Sequence, residues 1–307
     1  MKGFVNINKP SGMTSSDVVV KVRGILRRAS GEKQKVGHLG TLDPIGTGVL
    51  PIAVGSATRL FDYMQEKVKV YRATFVFGQT TDTLDITGNI TGECDVFPTK
   101  EQIDVAVSAI HGEIDQIPPQ YSAKSVDGVR AYDFARKGIE VYLKPKRITI
   151  YYIKTVDCDL DGAPYDLDKN EYAFEIACSS GTYIRSIARD LGCALGTVAY
   201  MSSIHRIKSG DFEIQDSVTL TDFEKEPFRY LKSVDFALKS YGRITLDEKQ
   251  KSKALNGVAI KTDELPDGDY VVDDGVETLA IGHVSDGILR LKTRLQGGVK
   301  IANCRFQ

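Results

Sequence analysis

Within Gly37-His38-Leu39-Gly40-Thr41-Leu42-Asp43-Pro44, one histidine and one aspartate stand among glycines and apolar residues, so any chemistry of the segment falls to those two side chains. Gly46, Gly48 and Pro51 extend it into a stretch expected to hold neither a helix nor a strand, which predicts a sharply turning loop. Such a loop suits a functional carboxylate. It suits equally an Asx-Pro turn in which Asp43 caps its own backbone ahead of Pro44, and both readings stand at this point. Arg185 and Arg189, spaced i and i+4 after the turn Ser179-Ser180-Gly181, are well placed to meet an anion or to form a solvated helix face. Tyr71 shares the face of an alternating strand with Ala73, Phe75 and Phe77, which makes it a core tyrosine unless the strand end opens into a site. Metal-ligand spacing, a P-loop and a dinucleotide fingerprint are all absent; Gly46-Thr47-Gly48 lacks both the following glycine and the preceding strand. The chain is therefore expected to use no cofactor and no metal. What remains is a loop carboxylate, arginines to keep it ionised, aromatics to stack on a planar substrate and basic segments to hold phosphate. That inventory fits nucleophilic or acid-base work on a nucleotide in RNA.

The elements that must position these groups follow from periodicity. Phe4 to Ile7 reads as a strand closed by the turn Asn8-Lys9-Pro10-Ser11-Gly12. A helix capped by Ser15 or Ser16 comes next, with Val18, Val19, Val22, Ile25 and Leu26 on its apolar face. A polar helix-like stretch is expected around Ala57 to Gln65, a strand over Val70 to Phe77 and an acidic loop at Thr81 to Asp85. Thr99 and Gln102 form a capping box for a helix carrying Ile103, Ala106, Val107 and Ile110. Arg147 to Val156 and Glu171 to Cys178 read as strands. Thr182 is the expected cap of a helix whose stripe is Ile184, Ile187, Ala188 and Leu191, leaving Arg185 and Arg189 off it. From Tyr241 the texture turns to short strand-like pieces between Gly and Asp. The whole predicts an α+β fold with a mostly antiparallel mixed sheet in residues 1–240 and a small β-rich module in 241–307.

Composition bounds the partners. The chain has 307 residues, 42% of them apolar, enough to bury a substantial core, and five cysteines without a CxxC pair. A reduced, cytoplasmic protein without structural zinc is expected, and no apolar run approaches the length of a membrane span. The formal net charge of −1 conceals segregation. Residues 1–40 carry eight Lys and Arg against two acids, 124–154 eight against three, and 289–305 five against none, while acids collect at 82–115, 157–175 and 263–277. Basic segments converging on one face would make a phosphate-binding surface; taken singly, each is a solvated face.

Five ordered signatures resemble the bacterial tRNA pseudouridine-55 synthases of the TruB type: Asn8-Lys9-Pro10-Ser11-Gly12-Met13-Thr14-Ser15, Gly37 to Pro44, Tyr71-Arg72 followed by Gly78-Gln79-Thr80-Thr81-Asp82, Tyr121-Ser122-Ala123, and Gly181-Thr182-Tyr183-Ile184-Arg185. The tail from Tyr241 resembles a PUA RNA-binding module. The resemblance implies a monomeric isomerase acting on the tRNA T-loop. It makes Asp43 the catalytic aspartate, attacking the everted uridine at C1′ or at C6. It further implies that Tyr71 packs on the target base, that Arg185 pairs with the catalytic aspartate, that His38 fills the space the base leaves, and that Ile204 lines the pocket where the family has leucine. Lys9, Tyr183 and Arg189 complete the expected substrate-binding set. The family pattern Tyr-Ser-Ala-x-Lys is departed from, since Lys124 comes one residue early and Ser125 occupies the usual lysine position. A non-catalytic RNA-binding protein and an N-glycosidase are the competing classes; intact Asp43, Tyr71 and Arg185 argue against the first, and release of free uracil would identify the second.

Overall fold

A computed structural model of the chain describes residues 1–64, 68–122, 124–126, 128–168, 170–262 and 265–295, with the side chains of 125, 126 and 130 also left out. Ala123 of the Tyr-Ser-Ala signature, Cys304, and Lys300 and Arg305 of the basic tail lie outside the described residues. By packing, the chain divides into two compact units. One comprises Met1–Pro44, Leu50–Gln65 and Asp211–Gln307; the other comprises Ile45–Val49 and Glu66–Gly210.

In the first unit the helix Ser15–Ser30 is amphipathic and buries its predicted stripe. That stripe packs with Val5 and Ile7 of strand Lys2–Lys9, with Leu50, Ile52 and Val54, and with Val218 and Phe223. Val18, Val22 and Leu26 are fully removed from solvent, each worth about 1.5–3 kcal/mol gross. The cap is Thr14 rather than a serine. Its hydroxyl accepts from the Asp17 N–H, the Asp17 carboxylate accepts from the Thr14 N–H, and Ser15 is freed for another task. Beyond Gly242 the same unit holds a five-stranded sheet in the order Gly242–Thr245, Gly268–Asp273, Thr278–Ser285, Ile288–Arg294, Ile260–Lys261. Its apolar face closes on Leu246, Ala254 and Leu279.

The second unit is built on a sheet whose strands run in the order Ala199–Ser209, Lys69–Phe77, Glu171–Cys178, Lys146–Thr155, Gly112–Gln116. Each of these neighbours is antiparallel. The first residues of strand Thr47–Gly55 add a parallel edge, Thr47 opposite His205 and Gly48 opposite Arg206. The helices Lys100–Ala109 and Ile184–Ala194 accompany this sheet, which makes the fold α+β as expected. The Thr99–Gln102 capping box forms as read from the sequence.

Two of the expected local structures need correction. The stretch to Pro51 does continue a strand, because Val49, Leu50, Ile52 and Val54 are driven into cores. Pro51 brings no N–H to leave unpaired, and its carbonyl accepts from the Leu39 N–H at 2.9 Å. Residues 56–64 form two short 3₁₀ turns rather than a helix. The acidic loop forms as expected, joining the strands of a hairpin, Gln79–Thr81 and Ile90–Glu93.

Gly48 has φ +94°, and a Cβ there would meet the Arg206 carbonyl oxygen at 2.3 Å. Strain and clash compound, so Gly48→Ala is expected to cost about 3 kcal/mol or more, read as a fall in the urea midpoint. A change below about 0.5 kcal/mol would mean that this close approach is not maintained in solution.

Candidate active site

The Asp43 loop is fixed at the residues on either side of the carboxylate. Before it, the Ser15 hydroxyl accepts from the Leu42 N–H at 2.9 Å and donates to the Leu42 carbonyl at 3.1 Å. After it, the Pro44 carbonyl accepts from the Gly12 N–H at 2.9 Å and from the Lys9 ammonium at 3.1 Å. Lys9 is fully buried and also donates to the Pro10 carbonyl at 2.9 Å, so it ties the loop from within rather than facing solvent. Asp43 itself is half-buried. His38 closes the strand Val36–His38 opposite Ile52, and the chain turns away at Gly40, where φ is +142°.

In the second unit Tyr71, at 6% exposure, lies between Ile176 on one neighbouring strand and Arg206 on the other. Ile204 pairs with Ala73 two residues on, so Tyr71, Ile204 and Arg206 share one face of the sheet. Arg206 is wholly buried; its Nε donates to the Val49 carbonyl at 2.7 Å and its guanidinium carbon stands 6.0 Å from the Tyr71 ring centroid. This arginine escaped the sequence reading because the strand that carries it was not recognised.

Helix Ile184–Ala194 packs on the strands carrying Tyr71 and Ile204. Its cap is Tyr183, not Thr182, whose hydroxyl instead donates to the Ser179 carbonyl at 2.9 Å. The buried Gln116 amide brackets Tyr183, donating to its carbonyl at 3.1 Å and accepting from its N–H at 2.8 Å. Arg185 is not on a solvated face but buried, with donations to the carbonyls of Thr83 at 2.8 Å and Tyr121 at 3.1 Å. The Asp85 carboxylate stands 3.5 Å from it and is held in turn by the hydroxyls of Thr83 and Thr87. Arg189, one turn on, donates to the Ile117 carbonyl at 3.0 Å and pairs with Asp190. Burial, the nearby Arg206 and Lys146 cations push the Lys69 ammonium down to about 8, while burial pushes the Cys178 thiol up to about 11. Among the described residues no group of three or more His, Cys, Asp or Glu is arranged to hold a metal.

Residues 27–184 match the model of the TruB family pseudouridylate synthase (N terminal domain), and residues 185–240 that of the tRNA pseudouridylate synthase B C-terminal domain. Similar curated proteins include a tRNA pseudouridine synthase B of Clostridium kluyveri, 43% identical over 85% of this chain and 86% of its own length. One of Lactobacillus johnsonii is 40% identical over 85% and 87%. Among solved structures, an H/ACA RNP bound to a substrate RNA containing 2′-deoxyuridine aligns with TM-score 0.69 at 20% identity, covering 96% of this chain and 85% of its own. A Cbf5-Nop10-Gar1 complex aligns at 0.68 and 23%, covering 95% and 84%. At those identities the two structures establish the fold alone.

Ser15→Ala removes both partners of the Leu42 backbone in a buried place and should cost about 1–3 kcal/mol in urea unfolding; an unchanged midpoint would deny the clamp. For Lys69 the folded value lies below the unfolded one, so the unfolded chain binds the extra proton and stability from this group rises between pH 8 and about 10.5. Lys69→Met should therefore gain most over wild type near pH 7 and lose that advantage as pH climbs through the window, measured by Tm against pH.

Proposed function

The chain belongs to the TruB family of pseudouridylate synthases, and from that premise we propose that it converts uridine 55 in the T-loop of tRNA to pseudouridine, as a cytoplasmic monomer without cofactor or metal. The reaction is an isomerisation. The bond from ribose C1′ to uracil N1 breaks, a bond from C1′ to C5 forms, the proton leaves C5, and N1 gains one. Asp43 is the nucleophile, adding to C1′ or to C6 while the base is detached and turned. The observation that supports this reading best is the clamp on its loop: hydrogen bonds to Leu42 and Pro44 hold the backbone on both sides and leave the half-buried carboxylate between them. A nucleophile pre-set in this way loses little entropy in reaching the reacting atom.

The uridine must leave its stack to be attacked, which costs a few kcal/mol. We assign Tyr71 as the platform on which the everted base packs, Ile204 as an apolar wall, and His38 as the side chain that fills the vacated space. Tyr71 is also the candidate for moving the C5 proton. Arg185 is the cation assigned to the Asp43 carboxylate, Tyr183 and Arg189 are assigned to RNA contacts, and Lys9 serves as a positioning residue for the loop. Residues 241–307 are proposed as a separate RNA-binding module of the PUA kind; its strand Ile288–Arg294 exposes Arg290, Lys292 and Arg294 in alternation.

Tritium release from tRNA transcript labelled at uridine C5, with the product position mapped by carbodiimide adducts, tests the proposal. Asp43→Asn should lower the single-turnover rate by at least about 10³-fold. Near-wild-type release by the variant would remove Asp43 as nucleophile, product at another position would overturn the site assignment, and free uracil would identify a glycosidase.

A further inference from the structure

Two lysines converge on the turn after strand Glu171–Cys178. Lys69 begins the strand that carries Tyr71, stands opposite Cys178 and Ser209, and is 8% exposed; its ammonium donates to the Ser180 hydroxyl at 3.1 Å. Lys146, the first residue of its own strand, donates to the Ser180 carbonyl at 3.5 Å. The Lys146 ammonium rests directly over Gly181, 1.8 Å from where a Cβ would stand. Lys146 is exposed, which opens the cluster to solvent on that side.

Charge sets this group apart from Arg185 and Arg72. Arg185 faces Asp85, and Arg72 pairs with Glu175 at 2.7 Å. Lys69 instead feels Arg206, Lys146 and the Cys178 thiol, and Lys146 feels Lys124. Among the described residues, no carboxylate acts appreciably on either lysine. Holding cations together in a poorly solvated place without an anion is unfavourable, and a bound anion converts the repulsion into attraction. Two ammonium groups beside a hydroxyl offer the donor set that a phosphodiester accepts.

Position identifies the source of that anion. Lys69 and Tyr71 are two residues apart on one strand and so share a face, about 7 Å apart along it. Arg206 stands opposite Tyr71 on the adjacent strand. A phosphate held at Lys69 is thus within the span of a single nucleotide from a base lying on Tyr71. Resting on the reading of Tyr71 as the base platform, we propose that Lys69, Lys146 and the Ser180–Gly181 turn bind a backbone phosphate of the substrate RNA flanking the target uridine. The uridine is then gripped through its backbone as its base is turned out.

The test measures equilibrium binding of a T-stem-loop RNA to the full-length protein over a range of KCl concentrations, for wild type, Lys69→Met, Lys146→Gln and, as an exposed neighbour outside the cluster, Lys144→Gln. Each protein is also melted with and without inorganic phosphate at matched ionic strength. Lys69→Met and Lys146→Gln should each weaken RNA binding about tenfold. Each should also lower the slope of log K against log salt by about 0.7–0.9, with Lys144→Gln unchanged in both respects. Lys69→Met should in addition raise the Tm, since a buried charge without a counter-ion is removed. Unaltered affinity and slope in both variants, or a lower Tm for Lys69→Met with RNA binding intact, would reduce the cluster to a structural role and overturn the proposal. Stabilisation of wild type by phosphate without any change in RNA slope would make this a free-phosphate site and equally overturn it. If wild type binds no stem-loop at all, the RNA reading of the whole protein fails, and the phosphate melts still report whether an anion site exists.

Discussion

A lysine ammonium shut away from water has to find acceptors, and Lys9 finds them in the carbonyls of Pro10 and Pro44. The rest of the Asp43 loop depends on that demand. The same Pro44 oxygen also accepts from the Gly12 N–H, and across the aspartate Ser15 serves both backbone groups of Leu42. Each bond adds only about 1 kcal/mol net, or somewhat more for the charged donor. Breaking any of them strands a buried polar group, and that larger cost is what keeps the loop in one conformation. The segment Asn8 to Ser15 therefore acts chiefly through main-chain atoms of its neighbour, which explains why its chemistry-bearing lysine points inward.

The second unit uses the same device around a different group. Arg185 donates to the carbonyls of Thr83 and Tyr121, and Gln116 reads both backbone groups of Tyr183. Loops far apart in sequence are thereby referenced to the first turn of one helix. Guanidinium suits this work because its planar fork fixes direction as well as distance.

Much of this was legible in the residues. The strand Glu171–Cys178, a short run buried on both faces from Ala173 on, and the helix with its reciprocal Thr99 cap are both recognisable from local residues. The buried stripe of Ser15–Ser30 follows from helical spacing. The strand Ala199–Ser209 did not show itself. Ser202, Ser203, His205 and Lys208 interrupt its alternation, and register shifts between Met201 and Ser203 and between Arg206 and Lys208 move side chains off strict period two. With that strand hidden, Arg206 could not be placed beside Tyr71. Helical spacing leaves Arg185 off the apolar stripe and so open to an anion or to water, whereas its burial rests on carbonyls 64 and 102 residues distant in the chain. The glycine-rich surroundings single out the aspartate's loop, but the hydroxyl and ammonium that steady that loop belong to tertiary structure.

The parallel pairing of Thr47 and Gly48 with His205 and Arg206 has a consequence in time. A ribosome adding about 5–20 residues per second needs roughly 8–30 s to pass from one strand to the other. Throughout that interval the nascent edge at Thr47 has no mate, and the Val49 carbonyl lacks the guanidinium that will meet it. Contacts so distant along the chain are closed late and slowly. The residues just past Asp43 thus reach their final partners only when about two thirds of the polypeptide has been made.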